Sequence, residues 1–203
     1  MPDAPGLELI RGEIERDHPG AVLDTSFDRG QAALNVDPAQ ILSVLTWLRD
    51  APAHRYRFLS SLHAADYLPS QPRFGIHYEL LNRDRVERLR VKTMLGDAPP
   101  AGGVVAGVPR GAEDAQHPST VGDAATTGPA GPALPEIDSC VSLFPTANFQ
   151  EREVFDFFGI VFRGHPDLTR ILLPDDYVGW PQRRDFPVGG EPVIFTYNER
   201  AHG

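Results

Sequence analysis

The apolar positions change period several times along the chain, and each change marks an element. Leu7, Ile10 and Ile14 recur at helical spacing and predict an amphipathic helix over residues 7–18, ended by Pro19 and Gly20. Two short alternating runs follow, 21–27 and 31–36, on either side of Asp28-Arg29-Gly30. That is a hairpin signal, with Ala32, Leu34 and Val36 facing inward. Asp37-Pro38-Ala39-Gln40 combines an N-cap aspartate, a proline at the first helical position and a glutamine at the third. A second helix should start there, with Ile41, Leu42, Leu45 and Leu48 on its apolar face, and close at Ala51-Pro52. Three strands are expected next, over 57–65, 73–81 and 85–95. The second sets Phe74, Ile76, Tyr78 and Leu80 against Gly75, His77 and Glu79. The third sets Leu89, Val91 and Thr93 against Arg88, Arg90 and Lys92, a stripe that is either a docking surface or a solvated sheet face. The connector Asn82-Arg83-Asp84 suits an antiparallel hairpin. The expected fold class is α+β: a mixed or antiparallel sheet with helices packed on one face, followed by a short helical segment and an extended Pro-rich C-terminal arm.

After residue 96 the pattern stops. Residues 97–134 hold 9 Ala, 7 Gly and 6 Pro among 38 residues, and no aromatic. Such a segment buries too little apolar surface to offset its ordering entropy, so a disordered insertion is expected. The chain thus divides into an α+β unit over 1–96, the insertion over 97–134, and a last part over 135–203. In that last part Ser139 is placed to cap a short helix through Cys140, Val141, Leu143 and Phe144, ended by Pro145. Asn148 and Glu151 have capping-box spacing for a further helix. Val154, Phe155 and Phe158 share a face of it, and Gly159 stands where a positive φ would stop it. Residues 160–162 read as extended. Pro166, Pro174, Pro181 and Pro187 then punctuate an arm that cannot form long helices. Residues 193–197 alternate as a brief final strand.

Charge and chemistry narrow the function. A net charge of −9 on 203 residues argues against binding nucleic acid through the field of the whole chain. The single cysteine, Cys140, permits no intrachain disulfide and is too little for an iron–sulfur cluster or a Cys-rich zinc site. It reads as a small buried hydrophobe. The acidic start lacks a signal peptide's cationic and apolar regions, and no apolar run approaches the ~18 residues of a spanning helix. A cytosolic chain is expected, or one held to a membrane only through partners. No phosphate-binding glycine loop, CxxC, HExxH or GxSxG occurs. The one cluster of acids with histidine is Glu153, Asp156, His165 and Asp167, readable as a metal site or as an ordinary turn whose histidine satisfies backbone groups. The arm interleaves Asp167, Arg170, Asp175, Asp176, Arg183, Arg184 and Asp185 with Leu168, Ile171, Leu172, Leu173, Tyr177, Trp180 and Phe186. It either wraps a partner or folds back on its own chain.

The residues of this last part carry a resemblance. Ala147, Asn148, Glu151-Arg152-Glu153, Asp156, Phe158-Gly159-Ile160, Phe162, Gly164-His165-Pro166-Asp167-Leu168, Arg170-Ile171-Leu172, Pro174, Asp176, Gly179, Pro181, Arg183 and Asp185-Phe186-Pro187 stand in the register of one long motif. In this it resembles the thirty-kilodalton subunit of respiratory complex I, the NADH–quinone oxidoreductase. Trp180, Gln182 and Arg184 depart from the usual His, Leu and Lys of the pattern. The resemblance covers about 40 residues and implies a hetero-oligomeric, peripheral subunit on the cytoplasmic side of a bacterial inner membrane. Its partners would be subunits D, B and I. It implies no catalytic, cofactor or metal site on this chain, with flavin, iron–sulfur clusters and quinone on other subunits. Its role would be assembly and rigidity in an enzyme coupling electron transfer from NADH to quinone with ion translocation. The residues expected to serve the partner interface or its supporting structure are Glu151, Arg152, Glu153, Asp156, Gly159, Gly164, His165, Pro166, Asp167, Arg170, Tyr177, Trp180, Arg183, Arg184, Asp185 and Phe186. Glu151, Arg152, Glu153 and Asp156 are expected to form an ion-pair network joining helix to arm. The related reading is the equivalent subunit of a membrane-bound hydrogenase or of a related ferredoxin- or coenzyme-linked oxidoreductase. The unrelated one is a stand-alone metal hydrolase built on Glu153, Asp156, His165 and Asp167.

Overall fold

Apolar residues at helical and alternating spacing bury themselves against one sheet. The computed structural model describes residues 2–97 and 134–187. Helix α1, Ala4–Asp17, is capped by Asp3, whose carboxylate accepts from the Gly6 N–H, and it buries Leu7, Ile10 and Ile14. Strands β1, Val22–Asp28, and β2, Gln31–Val36, pair antiparallel. Arg29 and Gly30 both take positive φ at their turn, as a tight primed hairpin requires. The Asp37 carboxylate accepts from Ala39 N–H over a single 3₁₀ turn, Pro38–Gln40, which runs into α2, Ile41–Asp50. Its buried face is Ile41, Val44, Leu45 and Leu48. Val44 replaces the expected Leu42, which is only partly buried.

Strands β3, Phe58–Asp66, β4, Phe74–Asn82, and β5, Glu87–Leu95, complete a five-stranded sheet of order β1-β2-β5-β4-β3. The sheet is mixed: β2 runs parallel to β5, and the other pairs are antiparallel. Leu34, Val91, Tyr78 and Leu62 lie in one row across it. That row belongs to one buried cluster with Leu7, Ile14, Leu45 and Leu48, so α1 and α2 cover this face. The alternation in β4 is misleading, because both its faces are buried: Gly75, His77 and Glu79 lie under side chains of their neighbours.

The last part packs on the same core. A three-residue strand β6, Glu136–Asp138, pairs parallel with β7, Val161–Arg163, and is too short to show in the sequence. The helix expected through Cys140–Phe144 is instead a pair of tight turns, in which the N–H groups of Leu143 and Phe144 both donate to the Cys140 carbonyl. Helix α3, Ala147–Phe158, buries Val154, Phe155 and Phe158. No helix of the described residues is long and apolar enough to cross a membrane. Most of the expected insertion, residues 98–133, and the expected strand over 193–197 lie outside the described residues.

Candidate functional site

Helix α3 and the arm after it hold every motif residue singled out in the sequence. The capping box does not form. The helix starts at Ala147, with Thr146 at the N-cap making no side-chain cap, and Thr146 Oγ1 donates instead to the Leu59 carbonyl. Glu151 turns away from the helix start into the core. Its carboxylate accepts from Ser139 Oγ at 2.6 Å and from the Cys140 N–H at 2.8 Å. Burial pushes the Glu151 carboxyl above its ordinary range, and these two donors only partly oppose it. Burial likewise pushes up the neighbouring Cys140 thiol.

The expected network of Glu151, Arg152, Glu153 and Asp156 is corrected by the geometry. Only Asp156 makes an ion pair, with Arg170 at 2.7 Å. Arg152 donates to the carbonyls of Thr169 and Arg170. Glu153 is exposed and pairs with none of the described residues. Asp156 is the pivot of the arm. One of its oxygens accepts from three successive backbone N–H groups, Ile171, Leu172 and Leu173, at 3.1, 2.8 and 2.9 Å. Burial alone would raise this carboxyl, but the three amides and Arg170 outweigh it and hold it below the usual carboxylate range. Arg170 also donates to the carbonyls of Tyr177 and Gly179 and lies 4.7 Å over the Trp180 ring.

Farther along, Gly159 closes α3 at φ +66, and the indole of Trp180 fills the space a Cβ would take. Trp180 meets Phe155 edge-on at 5.3 Å. Tyr177 stacks on Phe186, and Phe186 covers Gly179. Arg183 donates from Nε to the Phe158 carbonyl and lies over Phe74. Burial pulls its guanidinium below the ordinary value. The arm's end is clamped to the sheet. Asp185 pairs with Arg73 at 2.6 Å, and Arg73 pairs with Asp66 at 2.7 Å. Arg184 donates its N–H to Asp66 and its guanidinium to the Leu68 carbonyl. Burial raises the Asp66 carboxyl, but Arg73 and the Arg184 and Leu68 amides bring it down to about 2.

The arm therefore folds back on its own chain, and Trp180, Tyr177 and Phe186, expected at the partner interface or its supporting structure, are half-buried, Trp180 against Phe155 and Gly159, and Tyr177 and Phe186 against each other. Its exposed large apolar residues are Leu172 and Val178, 61% and 74% exposed, and on α3 Phe149 is 63% exposed. Gly164 takes a positive φ at the turn before His165-Pro166-Asp167. His165 donates from Nε2 to the Asn148 carbonyl and accepts at Nδ1 from the Asp167 N–H. It satisfies backbone groups, as an ordinary turn histidine does. Among the described residues no three acids, histidines or cysteines are placed to hold a metal ion. The oxygens of Asp156 are already taken by N–H donors, which removes the centre of the hydrolase reading. Arg73, Asp66 and Ser139 are parts of this site that the sequence reading misses. No local pattern marks Arg73 and Asp66, since Arg73 and Asp185 stand 112 residues apart, and Ser139 reads in the sequence only as a helix cap, not as a donor to Glu151.

The family described as the respiratory-chain NADH dehydrogenase 30-kDa subunit matches residues 34–112 and 124–192. An NADH-quinone oxidoreductase subunit of Roseiflexus castenholzii, the one designated C, is 36% identical over 181 residues, 89% of this chain and 84% of that protein. A trypsin-resistant fragment of Nqo5 superposes with a TM-score of 0.52 at 23% identity, covering 80% of this chain and 98% of the fragment. A chain of the membrane-bound sulfane sulfur reductase, an archaeal respiratory membrane complex, superposes at 0.58 and 20% identity, covering 89% and 85%.

Proposed function

Because the chain belongs to the family of the respiratory-chain NADH dehydrogenase 30-kDa subunit, we propose that it is an assembly subunit of the hydrophilic arm of an NADH–quinone oxidoreductase. Flavin, iron–sulfur clusters and quinone sit on other subunits, and this chain docks against subunits D, B and I. It lies on the cytoplasmic side of a bacterial inner membrane, held there by those partners. The observation that carries the reading is how the motif's charges are used. Asp156, Arg170, Arg183 and Asp185 are all engaged in holding the arm to α3 and the sheet. None is left free for acid–base chemistry, which needs a group that can exchange a proton with a substrate. A rigid arm of this kind offers partners a preformed surface, with Leu172, Val178, Phe149 and Glu153 outward. Preformed surfaces lower the entropy lost on association.

The fold also occurs in the archaeal sulfane sulfur reductase, so fold alone does not select the electron donor of the whole assembly. The identity to relatives from NADH-quinone oxidoreductases favours NADH. The test is isolation of the tagged chain from detergent-solubilised membranes. Co-purification of subunits B, D and I together with NADH–quinone activity is expected. Recovery with a nickel–iron hydrogenase, or recovery alone, would overturn the reading.

A further inference from the structure

The sheet face opposite α1 and α2 is covered by no helix or strand among the described residues. Register sets Asn35, Lys92, His77 and His63 in one row of it, and Ala33, Arg90, Glu79 and Ser61 in the next. The two imidazoles stack in parallel, 5.0 Å apart and 8° from coplanar. His77 is only 6% exposed. The Tyr67 hydroxyl bonds its Nε2, and its Nδ1 has no partner. Lys92 Nζ lies 4.6 Å over the Tyr67 ring, and Arg83 lies 4.2 Å over Phe58.

The charges on this face run against those of the chain. Over β3, β4 and β5 it presents Arg88, Arg90 and Lys92 against one carboxylate, Glu79, and Arg90 already holds that; Arg83, in the turn after β4, adds a further cation over Phe58. Arg88 and Lys92 have no carboxylate among the described residues. The acids lie at the margin of this face, where Arg73 holds Asp66, Asp97 and Asp185, Asp24 accepts from Asn35 and Asp28 lies beside Arg29, so the cationic surface is confined to the middle of the sheet. Yet the whole chain carries −9. A cationic surface lined with flat rings on an acidic protein is complementary to carboxylates carried on a polypeptide.

We propose that this face docks an acidic segment of a neighbouring subunit, with Lys92 and Arg88 taking its carboxylates beside Tyr67 and His63. The proposal rests on the chain being a subunit of a larger assembly. It goes beyond that reading in assigning a second surface, separate from the arm.

The sequence supplies its own probe. Lys92 is the only lysine of the 203 residues. In the detergent-solubilised complex a water-soluble carbodiimide activates a carboxylate. Attack by the Lys92 amine then forms an amide, and the carbodiimide leaves as its urea carrying the oxygen. Mass spectrometry is expected to find Lys92 joined to an aspartate or glutamate of another subunit. Lys92→Arg should abolish that cross-link while the chain stays in the complex. The pair Arg88→Glu with Lys92→Glu should lower the amount of chain retained at ~0.15 M salt by about tenfold. A chain that is in the complex but whose Lys92 is acetylated as readily as after denaturation overturns the proposal and leaves the subunit role standing. So does a cross-link from Lys92 to this same chain, or retention that is lost on nuclease treatment. A chain recovered without partners overturns both.

Discussion

Two acidic residues of α3, Glu151 and Asp156, are both fully buried, and their surroundings treat them in opposite ways. Asp156 gathers three amides and a guanidinium, so its carboxyl is held low. It therefore adds stability above its unfolded value of about 3.9, and that stability is lost as pH falls through the lower folded value. Asp66, brought to about 2, behaves the same way and should give an acid transition between about pH 4 and 2, to which Asp156 adds in the same direction. Glu151 is raised by burial. Its contribution is complete below about 4.3 and is lost as pH rises through its folded value. Asp156→Asn leaves Arg170 facing a neutral amide in a buried site and should cost roughly 3–5 kcal/mol, read by denaturant unfolding at pH 7. Glu151→Gln removes a buried charge and keeps an acceptor for the Cys140 N–H. At pH 7 it should be at least as stable as the parent, with a flatter dependence above about pH 4.3. A loss as large as that of Asp156→Asn would contradict this account. The sequence marks both residues as motif acids but not their difference, because the donors come from 139–140 and 171–173.

At the scale of elements, local patterns disclose the faces and miss the partnerships. Leu7, Ile10 and Ile14 point inward as their spacing requires, and Arg29-Gly30 and Asp37-Pro38 punctuate the chain where the structure turns. The capping box fails because a buried Glu151 bonded to Ser139 and Cys140 competes with one reaching back to its own helix start. Strand β6 is invisible because three residues carry no period, and the β2–β5 parallel pairing because alternation encodes a face, not a neighbour. Gly159 is legible as the end of α3, but not as the seat of Trp180. Gly159→Ala therefore meets two obstacles, a left-handed backbone and the indole. The first alone should cost about 1–3 kcal/mol. In a Trp47→Phe background, which leaves Trp180 as the only tryptophan, the emission should shift to the red as the indole is displaced into water. Unchanged emission and stability would show that the arm does not depend on this packing.

Across the whole molecule, one clamp joins the sheet to the far end of the arm. Arg73 at the start of β4 holds Asp66 beside it and Asp185 near the end of the arm. The Asp66 carboxylate is 1% exposed and Asp185 53%, so most of the clamp's strength lies in the inner pair. Arg73→Met should cost roughly 3–5 kcal/mol and free the arm's end. Trypsin should then cut after Arg183 and Arg184 much sooner than in the parent, and equal cutting rates would contradict the clamp. The long motif discloses the family at sight, yet a clamp spanning 112 residues is beyond any pattern read along the chain. On the proposed function, this chain supports an assembly and performs none of its chemistry. The direct measurement is the NADH–quinone turnover per assembled complex in membranes carrying Asp156→Asn. A smaller amount of complex with unchanged turnover per complex is the predicted result. Full assembly with turnover lost would place these residues in the chemistry and contradict the account.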